Sequence, residues 1–312
     1  MSQDTFVKFG DIDQSKEIVK KNWGDFRKKI NEGEFTTRDI DLALSHIFLE
    51  AFNELFNECK DLVGLTKKLD VINSDYEIMR GSKISDGEYS NTITYNRLLP
   101  QKSYIVEDNR FSPKGVEWLY LALSDDTLQA KECCIKECRA KESDKFAIVS
   151  FEIPDKYRNE KIVDLTVGVE YDYTELEKSL NNILRMRNDK SIQKVLKSFT
   201  KKELNMSKEE KLKLIKERAK EETDRISPEN NNLYKKFLTL AYSKLLSENI
   251  FEPVEIDKSE KYAPFHCLAQ YFISIGYSGI IFSSTVCRSG KNLVLFDKEY
   301  ANPVGEISKF QV

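Results

Sequence analysis

Between residues 37 and 66 apolar side chains recur every three or four positions, as Ile40, Leu44, Ile47, Phe48, Ala51, Phe52, Leu55, Cys59 and Leu62. That spacing is the face of an α-helix packed on a core. Thr37 is a candidate N-cap, and the pattern predicts a helical region over residues 1–70. His46 stands beside the stripe with no partner residues near it in sequence, so it reads as a packed or solvated histidine rather than a catalytic one. From 71 to 173 the texture changes to short β-rich runs with turns between them; "KFAIVSFEIP" and "EKIVDLTV" have strand character. Residues 174–250 form a long charged tract with two capping boxes, Thr174-x-x-Glu177 and Ser207-x-x-Glu210, which predicts helix. Its lysines and glutamates interleave, as in "SKEEKLKLIKERAKEETDR", so it reads as a solvated face with i,i+4 pairs. After Pro253 come an amphipathic segment, "PFHCLAQYFISIG", and two strands, "GIIFSSTV" and "GKNLVLFD". Two serines and a threonine stand where the first of these strands leaves the core, and hydroxyls there need partners, from the protein or from a ligand. The expectation is an α+β chain with an N-terminal helical region (1–70) and a sheet-bearing domain (71–312) that carries a helical insertion at about 174–250.

Composition narrows the class. With 312 residues, 40% hydrophobic, 32% charged and 11% aromatic, the chain can bury a core and is neither disordered nor a disulfide scaffold. A net charge of −3 lacks the basic footprint of a nucleic-acid reader, so no nucleic-acid partner is expected. "MSQDTFVKFGDIDQ" lacks the marks of a secretory signal, and apolar runs such as "YFISIGYSGIIF" are broken by Ser and Gly. A cytoplasmic protein without a membrane partner is therefore expected. Six cysteines (Cys59, Cys133, Cys134, Cys138, Cys267 and Cys287) are sparse and read as reduced thiols. Cys134 and Cys138 are four apart on a predicted helix, yet the only histidines are His46 and His266, so no metal is expected.

The chain has no Gly-x-Ser-x-Gly elbow, Walker loop, Gly-x-Gly-x-x-Gly or His-Glu-x-x-His. Two histidines outside any such context argue against Ser-His or Cys-His nucleophilic catalysis. Arginines, carboxylates, hydroxyls and aromatics remain, and they suit a ligand that carries phosphate and leaves a sugar cation behind. "YEIMRGSK" supplies Arg80, and "NRFSPKGVEWLYLAL" supplies Arg110 and Tyr120. "ECCIKECR" supplies Glu137, and "GIIFSSTV" supplies Ser283 and Ser284. Singly, each has a plainer reading: surface ion pairs for the arginines, core for Tyr120, solvent for Glu137, strand termination for the serines.

In chain order, however, these residues resemble the RES domain family, named for its Arg, Glu and Ser. The likeness covers roughly residues 76–300 outside the helical tract and is carried most by "RFSPKGVEWLYLALSDD" and "GYSGIIFSSTVCRSGKNLVLF", with "FAIVSFEI" and "IVDLT" between them. The family's E-T-A-x-x-E-x-R stretch is matched from Glu132 to Arg139, which selects Glu137; a register shift would select Glu132. Ser82 stands where the family often has a second arginine, Phe265 and His266 replace a Thr-Gln pair, and Phe282 replaces a tyrosine.

The resemblance implies a mixed, bent sheet like that of ADP-ribosyltransferases and NAD as substrate, with no metal. It implies Arg80, Glu137 and Ser284 as the catalytic set and Arg110, Tyr120 and Ser283 as substrate-binding residues. Arginines would grip the pyrophosphate, Tyr120 would pack on the nicotinamide or its ribose, and Glu137 would stabilise an oxocarbenium-like centre. Ser284 would bond the ribose or orient Glu137. Water as acceptor gives a glycohydrolase, phosphate a phosphorylase and a protein side chain an ADP-ribosyltransferase. The family also implies a bacterial toxin with a cognate antitoxin over the cleft. The departures from its pattern motivate an alternative: a catalytically inactive NAD- or protein-binding regulatory or defence module. The amphipathic stripe offers a surface for a homo-oligomer. A nuclease-like N-terminal domain has no Arg-x4-6-His motif to support it, because Arg38 is too far from His46.

Overall fold

Apolar alternation along the strands and one broad helical layer organise the chain. The computed structural model describes residues 12–36, 39–169, 171–250, 259–288 and 290–312. Its strands are β1 (Thr66–Lys68), β2 (Glu77–Ile84), β3 (Leu119–Ser124), β4 (Lys145–Glu152), β5 (Lys161–Asp164), β6 (Gly279–Ser283), β7 (Lys291–Leu295) and β8 (Asn302–Gln311). They form one sheet in the order β1-β5-β6-β7-β3-β2-β4-β8. The β5–β6 pair is parallel and the other pairs are antiparallel, so the fold is α+β with a mixed sheet. Strands β6, β7 and β3 lie in its middle with nearly every residue buried, which is why they read as near-continuous apolar runs.

The longer helices are α1 (Ile12–Asn31), α2 (Ile47–Cys59), α3 (Thr127–Glu137), α4 (Tyr173–Lys197), α5 (Lys208–Ile250) and α6 (Ala263–Ser274). Trp23 and Phe26 of α1, Phe48, Phe52 and Phe56 of α2, and Phe265 and Phe272 of α6 pack with Ile280 and Val294 of the sheet. The roots of α4 and α5 add Tyr173, Leu180, Phe237 and Leu245 to the same cluster. Leu121, Leu123, Val149, Ile281 and Leu293, out of phase by one residue, build a second core. A third joins α3 to β2, β3 and β4 through Ala130, Cys133, Cys134, Met79, Ala122, Phe146 and Ile148.

Several local expectations change. The stripe over 37–66 is not one helix: it is interrupted between Ala43 and Ile47, where His46 becomes the N-cap of α2. Nδ1 of His46 accepts from Phe48 N at 3.1 Å, and its Nε2 lies 3.0 Å from Asp25 Oδ2. A side-chain acceptor just ahead of the first turn satisfies an amide that a continuous helix would have used internally. Thr37, the expected cap, lies outside the described residues; Asp39 caps the short helix Ile40–Ala43. Helix α4 is capped by Asp172, which accepts from Glu175 N at 2.9 Å, and not by the Thr174 box. The Ser207–Glu210 box does form, with reciprocal bonds of 3.2 and 2.9 Å. Segment "PFHCLAQYFISIG" is a core helix buried on most sides rather than an amphipathic one. Strand β1 falls inside the segment read as helical, and β8 was not anticipated at all. Cys133 and Cys287, read as reduced thiols, are joined as a disulfide with a Cα separation of 5.4 Å, while Cys59, Cys134, Cys138 and Cys267 remain thiols. Spacing along the chain could not foresee a pair brought together across 154 residues. No helix among the described residues is long and apolar enough to cross a membrane.

Candidate active site

The ladder between β2 and β3 ends at Met79–Ala122, whereas β2 stays paired with β4 as far as Ile84–Lys145. Beyond that point β2 and β3 are no longer paired, and a cleft of about 560 Å³ opens there, within the range of small-molecule sites. Its walls come from β2, β3, the 97–110 segment, the end of α3, and the turn after β6.

Arg80 sits at the parting of the strands. Its Nη1 donates to Tyr120 O at 2.7 Å and its Nε to Leu98 O at 2.6 Å, so the guanidinium bridges β2, β3 and the helical turn Tyr95–Leu98. Burial lowers its pKa, yet a guanidinium keeps its proton at neutral pH. The two acceptors are neutral carbonyls, which leaves a poorly solvated positive charge on the cleft wall. At Arg110 burial again lowers the pKa, Nη2 donates to Thr285 Oγ1 at 3.2 Å, and the guanidinium carbon lies 5.4 Å from the Phe265 ring centroid. Beside it, His266 Nε2 lies 2.9 Å from Asn109 O. Phe265 and His266, two of the departures from the family pattern, therefore both hold the Arg110 segment. Ser82, another departure, accepts from Arg97 Nη1 at 3.2 Å, so a guanidinium occupies that corner of the cleft from another part of the chain.

Tyr120 lines the cleft from β3, but its hydroxyl serves the fold. It accepts from Phe111 N at 3.2 Å and meets Ser112 Oγ at 3.0 Å, and burial pushes its pKa up to about 12.

Glu137 is the last residue of α3 and is exposed at the cleft. A carboxylate at a helix C-terminus opposes the negative end of the dipole, so its place there calls for donors. Two converge on Oε1: Ser284 Oγ at 2.6 Å and Asn292 Nδ2 at 2.5 Å. Ser284 Oγ in turn accepts from Val286 N (3.3 Å) and Cys287 N (2.8 Å), which fixes the hydroxyl in the turn that follows β6. The carboxylate is therefore oriented through Oε1. Glu132, the alternative glutamate, is exposed, pairs with Lys136 at 2.5 Å, and does not line the cleft.

The structure thus gathers Arg80, Arg110, Tyr120 and Glu137 at one cleft, with Ser284 joined to it through Glu137. Ser283 is not brought to the wall; it is paired in register with Lys291 on β7. Sequence reasoning missed Asn292, a buried amide in register with Ala122 of β3 and Phe282 of β6. The signal was an asparagine inside the apolar run "KNLVL". It also missed Arg97 and Arg139, which line the cleft as well. No protein-family model matches the chain, and neither a curated protein nor a solved structure does.

Proposed function

We propose that the chain cleaves the bond between nicotinamide and ribose in NAD. The observation that carries this reading is the Glu137 carboxylate, oriented by Ser284 and Asn292 in a cleft that the half-buried Arg80 and Arg110 also line. The arginines suit a pyrophosphate, which they grip through charge-assisted hydrogen bonds. When the C1′–N bond breaks, its electron pair leaves on the ring nitrogen of neutral nicotinamide and positive charge develops on the ribose. A carboxylate fixed close to that charge lowers the barrier. The acceptor, whether water, phosphate or a protein nucleophile, then adds at C1′ and gives up its proton. In this reading the sheet belongs with ADP-ribosyltransferase-like cores, and the RES resemblance supplies the toxin role and the antitoxin partner.

The test is nicotinamide release from NAD by wild type and Glu137→Gln, with and without phosphate and with a candidate protein acceptor. Gln preserves an oxygen for Ser284 and Asn292 but removes the charge, so a loss of about 100-fold or more in kcat is expected. Equal release by both proteins, or none from wild type under all three conditions, refutes the proposal.

A second reading draws on Arg80 and the Tyr120 hydroxyl being tied to backbone and loop groups: a module that binds NAD without turning it over. Calorimetric binding of NAD with no nicotinamide released would favour it.

A further inference from the structure

We propose that the Cys133–Cys287 disulfide is a redox latch on the Glu137–Ser284 pair, closed when oxidised and loosened when a dithiol reduces it. The proposal rests on the reading of Glu137 as the working carboxylate. Cys133 lies on α3 four residues before Glu137, one helical turn or about 6 Å along the axis. Cys287 lies three residues after Ser284, and its amide donates to the Ser284 hydroxyl at 2.8 Å. A covalent bond and the 2.6 Å Ser284–Glu137 hydrogen bond thus tie the same helix to the same turn, side by side.

The turn is built around the bridge. Ser284 N donates to Gly290 O at 2.8 Å and Gly290 N to Cys287 O at 3.0 Å. A methyl group at Gly290 would overlap the Cys133 sulfur, so the backbone itself packs on the disulfide. Without the covalent bond, the hydrogen bonds from this turn to α3 among the described residues are Ser284 to Glu137 and a 3.5 Å contact from Gln129 Nε2 to Arg288 O. Glu137 is exposed, so water competes for the first of these; the second is at the limit of hydrogen bonding. Reduction therefore frees Ser284, one of the two donors that orient the carboxylate, while Asn292 stays on β7, and β3 and β4 keep their ladders.

The neighbouring thiols do not open the latch. Burial pushes the pKa of both Cys134 and Cys138 up, so they carry little thiolate at neutral pH and exchange poorly. An external dithiol is required. Its thiolate attacks one sulfur of the bridge, the S–S electron pair leaves on the other cysteine, and the second thiol of the reagent resolves the mixed disulfide. Two electrons and two protons pass to the protein, leaving two cysteine thiols and the oxidised reagent. A lone bridge beside four thiols, two of them at the cleft, fits a redox-responsive element better than a disulfide scaffold.

The experiment has two arms, run on full-length protein prepared without reductant. Thiol titration in denaturant should find the four free cysteines before reduction and all six after it; six at the outset overturns the latch. Hydrogen exchange should then speed up by about tenfold at the amides of Val286 and Cys287, both on dithiol treatment and in C133A/C287A, with β3 and β4 unchanged. Unchanged exchange at those amides overturns the proposal. So does nicotinamide release that is measurable and equal in oxidised and reduced protein. Loosened amides with no nicotinamide release in either form would instead sink the NAD reading and leave the latch standing.

Discussion

Replacing Asn292 by leucine separates what the fold needs from what the cleft needs. The side chain is 6% exposed and lies in register between Ala122 and Phe282, an apolar setting for an amide. Its hydrogen bond to Glu137 is made to a charged group, worth about 1.5–3 kcal/mol, and the exposure of Glu137 argues for the lower end. Burying an amide in such a site costs about 1–3 kcal/mol by mutational measures, a cost leucine of nearly equal volume avoids. The two terms nearly cancel, so unfolding free energy should change by no more than about 1 kcal/mol and Tm by about 2–4 °C. Turnover should not be spared. Glu137 loses one of two donors on Oε1 and with it part of its fixed orientation, and about 1.5 kcal/mol of lost positioning is about tenfold in kcat. The assay pairs urea denaturation with nicotinamide release, KM being measured separately. A fall of more than about 3 kcal/mol in stability with kcat intact would show that Asn292 serves the sheet alone, and the positioning argument would fail.

Two further outcomes follow from other parts of the molecule. Burial lowers the pKa of His266, so the unfolded chain takes up a proton that the folded one refuses; its share of stability is present above the unfolded value of 6.5 and is lost as pH falls below it. His266→Gln, able to keep a donor to Asn109 O, should flatten that acid-side loss in urea titrations at a series of pH values, and an unchanged slope would contradict it. Gly168→Ala places a methyl 2.6 Å from Lys244 N and 2.7 Å from Leu240 O. Backbone atoms of α5 cannot rotate aside, so a loss of about 1–3 kcal/mol in unfolding free energy is expected, and a neutral result would mean that α5 shifts freely on the sheet.

How much of this was legible in the sequence depended on the range of the interaction. The central strands announced themselves because burial on both sides demands unbroken apolar runs, as in "LYLALS" and "GIIFS". β8 did not, because it is the outer strand on β4 and carries an exposed Glu306 and a half-buried Lys309, so its alternation is diluted by charge. Caps misled by one or two residues, since Asp172 and Thr174 are both capping residues and spacing alone does not rank them. Residue types at the cleft were readable through the resemblance to a family. Their partners were not: Asn292 meets Glu137 across 155 positions and Cys133 meets Cys287 across 154, distances that only the completed sheet brings to zero. For the same reason the bonds that fix the Tyr120 hydroxyl, to Ser112 and Phe111, were not readable, although Tyr120 does line the cleft.

The parting of β2 from β3 explains why the charge and the cavity coincide. A ladder that stops at Met79–Ala122 leaves backbone groups without a strand neighbour in the middle of a sheet, and unpaired buried carbonyls are costly. Arg80 answers that need for the Tyr120 and Leu98 carbonyls with one planar donor array. Carbonyl dipoles solvate a cation only in part, so the device that closes the gap leaves an unbalanced positive charge at the base of the cleft that the gap creates. In the proposed reading an anionic ligand would complete the balance, and its binding would strengthen the junction of the two strands. If the proposed function holds, NAD should therefore protect the amides of Arg80 and Gly81 from hydrogen exchange even in Glu137→Gln, where cleavage would be lost, because the pyrophosphate would be held by Arg80 of β2 and not by the carboxylate at the end of α3.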